Sequence, residues 1–432
     1  MKKILVYSHD TYGLGNIRRM LSVVQHLVDS DPEACALILS GSPMMQAFRL
    51  SPRIDYIKLP CLTRAENGDY ESKYLDFDYE KVITMRADLI LNTLLNFEPD
   101  LLLVDKKPLG VQNEIAPALD LIRRRANRPR VVLVTREILD SPEVTQGVWE
   151  RNDYHGAIAE HYDSVLVLGP KAVFDMAEEY DFPEASRHKI RHCGYIAKQQ
   201  PTHAVADVRS ELGAGELPIV LLTAGGGRDG LRLLDVGLRT MLSDCRNGRA
   251  HVVLVPGPEM EPEQRGALRR LGSGVPNLTI FDFTNDMMSY IAAADVVVSM
   301  AGYNTVTELL SLGVSGVLVP RVRPSQEQWI RATRLERLGL FSVIHPDQYS
   351  EEALRTALDK ALAGSNNDSS KVRLDMNALE TVHEYVQELM AEHDTGGWKK
   401  LQLQNVTALE RPSNDSCATA VPLAIPIGGT KQ

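Results

Sequence analysis

The residues best suited to chemistry gather around glycine turns that join strands to helices. Asp295-Val296-Val297-Val298-Ser299 runs as an apolar strand into Met300-Ala301-Gly302-Tyr303-Asn304-Thr305, and Glu308 stands one turn into the helix that follows. Amides at such a helix start attract an anion such as a diphosphate, and Ala301, Gly302, Asn304 and Thr305 are the residues that would bring them to it. Glu308 has two oxygens able to accept hydrogen bonds from the vicinal hydroxyls of a ribose. Thr305-x-x-Glu308 also spells a capping box, which would tie the same carboxylate to its own helix. After the strand Leu318-Val319-Pro320, Glu327 and Gln328 open another helix, where they could contact sugar hydroxyls.

A second turn, Gly225-Gly226-Gly227-Arg228-Asp229-Gly230, follows the apolar strand ending at Thr223 and precedes a helix from about Leu231. It fits G-x-G-x-x-G in the strand–turn–helix setting, but no acidic residue about 20 positions on completes a dinucleotide site. The first loop, Gly13-Leu14-Gly15-Asn16-Ile17-Arg18, has glycines that let backbone approach phosphates or an acceptor, with Arg18 where a third glycine would stand. Asn16 reads as an ordinary helix cap, and an amide is no general base near neutrality. The nearest titratable groups are His9 and Asp10, directly after the first strand. An imidazole with an unperturbed pKa of about 6.5 suits removal of a hydroxyl proton, and Asp10 could orient it or act in its place. Asp76-Phe77-Asp78 spells a metal-binding D-x-D, yet it stands where a carboxylate favours the start of a helix over 79–97. No metal site and no cofactor are expected.

These positions require a scaffold of alternating strands and helices. Strands are predicted at 3–8, 34–40, 54–59, 100–105, 130–135 and 163–169, then at 217–223, 250–256, 278–282, 295–299 and 315–319, with amphipathic segments between them. Leu101-Leu102-Leu103-Val104 is apolar throughout, as a strand buried on both faces should be. The pattern lapses around 194–204, which sets the expected domains as 1–196, 197–370, a helix over 371–394 and a tail over 395–432. Two Rossmann-like domains in tandem place the carboxyl ends of both sheets around one cleft. Loops 61–77 and 136–147 are long for such connections and are candidates for holding a second substrate, with Tyr70, Tyr74 and Phe77 able to stack on it.

Residues 217–345 resemble the C-terminal domain of the MurG-type glycosyltransferases and, more broadly, the donor domain of UDP-glycosyltransferases. The family's Gly-Gly-x-x-Gly turn near the donor phosphates is matched by Gly226, Gly227 and Gly230. Its Phe-x-x-Asp-Met turn against the base is matched by Phe283, Thr284, Asn285, Asp286 and Met287. Its Ala-Gly-x-x-Thr-x-x-Glu motif is matched by Ala301, Gly302, Thr305 and Glu308, and its sugar-holding pair by Glu327 and Gln328. Two positions depart: Met300 replaces a frequent Arg or His, and Asn16 replaces a His that is catalytic in many relatives. The resemblance implies an α/β protein of GT-B architecture, two facing Rossmann-like domains with a C-terminal helix returning to the first. It implies metal-independent, inverting transfer of a hexosyl group from a nucleotide-sugar donor, with UDP as the nucleotide, to an acceptor that stays unknown. A non-hydrolysing UDP-sugar 2-epimerase and a nucleotide-sugar binder without catalysis are the alternatives.

The 432 residues are 44% hydrophobic and 24% charged, with a net charge of −10 that speaks against a nucleic-acid partner. Cys35, Cys61, Cys193, Cys245 and Cys417 show no paired or metal-ligand spacing and read as reduced thiols of a cytoplasmic protein. The apolar run Ile4–Tyr7 is too short for a signal peptide, and no stretch approaches the roughly 20 residues that span a bilayer. Peripheral contact with a membrane stays open.

Overall fold

The computed structural model describes residues 2–8, 15–64, 70–363 and 372–391. The first sheet takes β1 (Lys2–Ser8), β2 (Ala34–Ser40) and β3 (Ile54–Lys58); a separate antiparallel hairpin follows, β4 (Leu62–Arg64) and β5 (Tyr70–Ser72). The sheet is completed by β6 (Leu101–Asp105), β7 (Arg130–Arg136), β8 (Ser164–Leu168) and β9 (Ile190–His192). Its order is β3-β2-β1-β6-β7-β8-β9, parallel throughout. The second sheet holds β10 (Ile219–Thr223), β11 (His251–Val255), β12 (Leu278–Ile280), β13 (Val296–Ser299), β14 (Gly316–Leu318) and β15 (Ser342–Val343), in the order β12-β11-β10-β13-β14-β15.

Every residue of β6, β10 and β11 is buried, because helices cover both faces of each sheet and leave these central strands no solvent side. Both sheets reverse their strand order beside one strand: β1 lies between β2 and β6, and β10 between β11 and β13. A crevice therefore opens at the carboxyl end of each, where open α/β sheets take ligands.

The chain crosses from the first sheet to the second and later returns, and the two crossings are hydrogen-bonded to each other. Tyr195 N donates to Asp375 O (2.8 Å), Ala197 N to Met376 O (3.2 Å), and Ala378 N to Tyr195 O (3.2 Å). Gly194 has φ +81°, and a Cβ there would meet the Asp375 carbonyl oxygen at 2.7 Å, so this approach needs glycine. The pairing explains why the last helix, expected from 371, begins at Ala378: the residues just before it are extended against the outgoing strand. That helix, Ala378–Ala391, buries Val382, Val386 and Met390 beside the Gly15–Ser30 helix. Lys2 Nζ donates to Gln387 Oε1 (2.8 Å) and Arg130 Nε to Leu389 O (3.1 Å), fixing the helix to the first domain. The tail over 395–432 lies outside the described residues. No helix among the described residues is long and apolar enough to cross a membrane.

Candidate functional site

The glycine turn after β10 is shaped by its own backbone. Gly225 and Gly227 adopt φ +65° and +97°, and a Cβ on Gly227 would stand 2.4 Å from Pro256 O. Gly230 begins the Leu231–Arg246 helix against Ala224, with no room for a side chain. A Cβ on Gly225 would lie 3.4 Å from Thr305 Oγ1, so this turn faces the start of the Tyr303–Leu312 helix. Gly302 is the N-cap of that helix and no side chain among the described residues caps it. Thr305 is therefore the third helical residue, not the cap, and the capping-box reading of Glu308 does not hold. The first amides of the helix meet the glycine turn uncapped, and the helix dipole adds its positive end there.

Glu308 is half-buried on the same helix. Burial pushes its carboxyl above the usual glutamate range, against the pull of Lys198 and Arg18. Lys198 comes from the outgoing crossing; its Nζ donates to Asn304 Oδ1 (3.0 Å) and its backbone N to Ser311 Oγ (3.0 Å). Arg18, on the Gly15–Ser30 helix of the other domain, is exposed but near enough to pull the same carboxyl down. The Phe283–Met287 turn lies next along the edge. Phe283 is exposed, Thr284 Oγ1 accepts from Asp286 N (3.1 Å), and Asp286 caps the Met287–Ala293 helix while receiving His203 Nδ1 (2.6 Å).

The Glu327–Arg337 helix corrects one expectation. Glu327 does not face an open cleft. Its Oε2 pairs with Arg136 of β7 (2.5 Å) and its Oε1 with Arg331 (2.9 Å). Burial alone would raise its pKa, but Arg136 and Arg331 hold it below the usual range. Arg331 is fully buried; its Nε donates to Glu137 Oε1 (2.7 Å) and its Nη1 to Ala301 O (3.1 Å). Tyr195 Oη also donates to Glu137 Oε1 (2.9 Å). This buried cluster joins the two domains, and Gln326 N adds a bond to Asp140 Oδ1 (2.8 Å) of the 136–147 loop. A carboxylate spent on two guanidiniums has little left for a sugar. Gln328 stays nearer the glycine turns, accepting from Arg321 N through Oε1 (3.1 Å) with its Nε2 toward Gly302.

Sequence reasoning missed Arg331, Arg136, Glu137 and Lys106. The Glu327–Arg331 spacing of four on one helix was the signal within reach; Arg136 at the end of β7 and Glu137 just after it had none. Lys106 follows β6 with φ +65°, and burial, then Arg136, push its ammonium down to about 8 against the pull of Glu327.

On the facing domain, helix formation starts at Gly15, so Asn16 lies inside the first turn and is not its cap; its Oδ1 accepts from Arg19 (3.2 Å). Arg19 is buried, paired with Asp105 (3.0 Å) and set over the Tyr303 ring. Asp105 also accepts from Ser8 Oγ (3.2 Å), the last described atom group before His9. His9, Asp10 and Gly13 lie outside the described residues. Asp78 caps the Tyr79–Phe97 helix by accepting from Glu80 N (3.1 Å), which accounts for the second carboxylate of Asp76-Phe77-Asp78. Within loop 61–77, Tyr70 takes Lys107 Nζ (3.0 Å) while Tyr74 and Phe77 are exposed.

Residues 225–389 match the glycosyltransferase family 28 C-terminal domain. The UDP-N-acetylglucosamine--N-acetylmuramyl-(pentapeptide) pyrophosphoryl-undecaprenol N-acetylglucosamine transferase of Caldicellulosiruptor saccharolyticus is 25% identical over 269 residues, 59% of this chain and 70% of that one. The protein of the same name from Acetivibrio thermocellus is 32% identical over 143 residues, covering 32% of this chain and 39% of its own length. Among solved structures, Acinetobacter baumannii MurG superposes with a TM-score of 0.58 at 14% identity, covering 91% of this chain and all of that one (100%). A putative UDP-N-acetylglucosamine 2-epimerase from Listeria monocytogenes gives 0.60 at 12%, covering 91% and 97%. At these identities the structural likeness is one of fold, which transferases and an epimerase share.

Proposed function

From the premise that this chain is a MurG-like glycosyltransferase of GT-B fold, we propose that it transfers a hexosyl group from a UDP-sugar to an acceptor hydroxyl without a metal ion, with inversion. The observation that carries the donor assignment is the meeting of the Gly225–Gly230 turn with the uncapped start of the Tyr303–Leu312 helix, with Glu308 a turn further on. The amides of both turns take the diphosphate, Glu308 takes the ribose hydroxyls, Phe283 lies against the base, and Gln328 contacts the sugar. Residues 197–370 are then the donor domain and 1–196 the acceptor side, open to a peripheral membrane contact, in a cytoplasmic protein.

In the transfer, the acceptor oxygen attacks the anomeric carbon as the bond to the diphosphate oxygen breaks. Negative charge grows on the leaving diphosphate, where preoriented amides stabilise it. The acceptor proton passes to His9, or to Asp10, which follow the strand that ends beside Asp105 and Arg19. His9→Ala lowers kcat by about 10²- to 10⁴-fold with donor affinity unchanged.

Calorimetric titration with UDP, TDP and GDP tests the donor. UDP binding alone, or tightest, supports the reading, and failure of all three to bind overturns it. UDP-N-acetylglucosamine incubated without acceptor gives no 2-epimer; a rising 2-epimer would replace transfer with epimerisation on the same fold.

A further inference from the structure

A cavity of about 550 Å³ opens beside the two glycine turns, lined by Asp229 of the first and Arg232 of the helix after it, Met300 before the second, and Arg321, Arg323 and Gln326 from the loop after β14. It lies at the carboxyl ends of β13 and β14, and its wall carries three guanidiniums against two carboxylates, Asp229 and Asp347. The three arginines differ in what holds them. Arg232 Nη2 donates to Tyr349 O (3.3 Å), and Arg323 is exposed. Arg321 is steered: its Nη1 lies 3.3 Å from Asp229 Oδ2 of the glycine turn, and its backbone N donates to Gln328 Oε1 (3.1 Å). Its Nε is buried without a hydrogen-bond partner among the described residues. A buried N–H with nothing to donate to is costly and marks a place where a ligand acceptor fits.

We propose that Arg321 is a cation for the donor diphosphate, reaching it from the β14 loop across the cavity that Met300 lines. The wall at Met300 is apolar, so a diphosphate entering between the glycine turns meets no charge there. Arg321 supplies that charge, with spare N–H groups in the fork geometry that phosphate oxygens match. Asp229 holds the guanidinium beside the turn, and Gln328 couples its backbone to the residue that faces the sugar. This rests on the donor reading above and deepens it.

The test compares UDP with uridine by titration calorimetry on the full chain. Arg321→Ala lowers UDP affinity by about ten- to a hundredfold and leaves uridine affinity unchanged. Arg321→Gln, which keeps a donor for Asp229, shows the same selective loss should Arg321→Ala fold poorly. Met300→Arg added to Arg321→Ala returns a guanidinium to the cavity from its other wall and restores much of the UDP preference, which a purely structural role would not allow. UDP affinity unchanged in Arg321→Ala and Arg321→Gln overturns the proposal. So does an equal loss for UDP and uridine, or a folded double variant with no recovery. Wild-type protein that binds neither compound overturns the donor reading itself, a separate outcome.

Discussion

Glu308 and Glu327 each stand near the start of a helix at the same sheet edge, and they are spent differently. Glu308 is half-buried, its pKa raised by burial, with cations near it but no guanidinium paired with it among the described residues. Glu327 is buried between Arg136 and Arg331 and held ionised by them. The first has oxygens that neither Arg136 nor Arg331 occupies, whereas the second uses its own to join two domains. Residue type and helix position are alike, so the difference comes from what the rest of the chain brings to each.

The largest effect that separates them lies at Arg331. Arg331→Met leaves Glu137 and Glu327 buried with a partner removed, which costs about 3–5 kcal/mol of stability. Urea denaturation measures it, and a loss under about 1 kcal/mol would mean the cluster relaxes into water. Next comes Glu308→Ala, which weakens UDP binding by about 10- to 100-fold, the worth of a charge-assisted hydrogen bond. Its melting temperature stays close to wild type because Gly302, not Thr305, begins the helix. A fall in stability with affinity intact would return Glu308 to a structural role.

Acidification separates the pair in one sample. Glu308 takes its proton above the ordinary glutamate value of about 4.3, so UDP affinity declines there as the pH falls. Protonating a carboxyl whose folded pKa is raised favours the fold, whereas the stabilisation from Glu327 is lost only as the pH falls through its depressed pKa. Ligand affinity should therefore drop while the thermal midpoint still holds; a joint collapse would contradict the division of roles. The smallest expected change is Lys106→Met, which removes a half-buried ammonium already pushed down to about 8. Stability at neutral pH should move by less than about 1 kcal/mol in thermal denaturation, since the lost attraction to Glu327 offsets relief of desolvation.

How much of this was legible in the sequence follows the range over which each signal acts. Leu101–Val104 announced a buried strand because burial on both faces leaves only apolar positions. The glycine turns and the Tyr303–Leu312 helix were legible because strand, turn and helix are contiguous. Strands β9 and β15 are too short, at three and two residues, for alternation to register. The late start of the last helix was hidden because the pairing that extends the residues before it comes from Tyr195 and Ala197. Glu327 was misjudged for a related reason: Arg136 reaches it from a strand almost 200 residues earlier, and no local pattern records that.

The paired crossings also govern how the protein can be made. The first domain receives its closing helix, Ala378–Ala391, only after the whole second sheet has been synthesised, about 180 residues beyond Ile196. At roughly 5–20 residues per second that is a delay of about 10–40 s, during which the face of the Gly15–Ser30 helix that later meets Val382 and Val386 has no native cover. The second sheet, with no such gap in its sequence, can fold as it emerges. Completion of the first domain thus waits until the second sheet and the helix after it have emerged, and a ribosome stalled within the second sheet would leave the first domain holding an unsealed apolar surface for chaperones to shield.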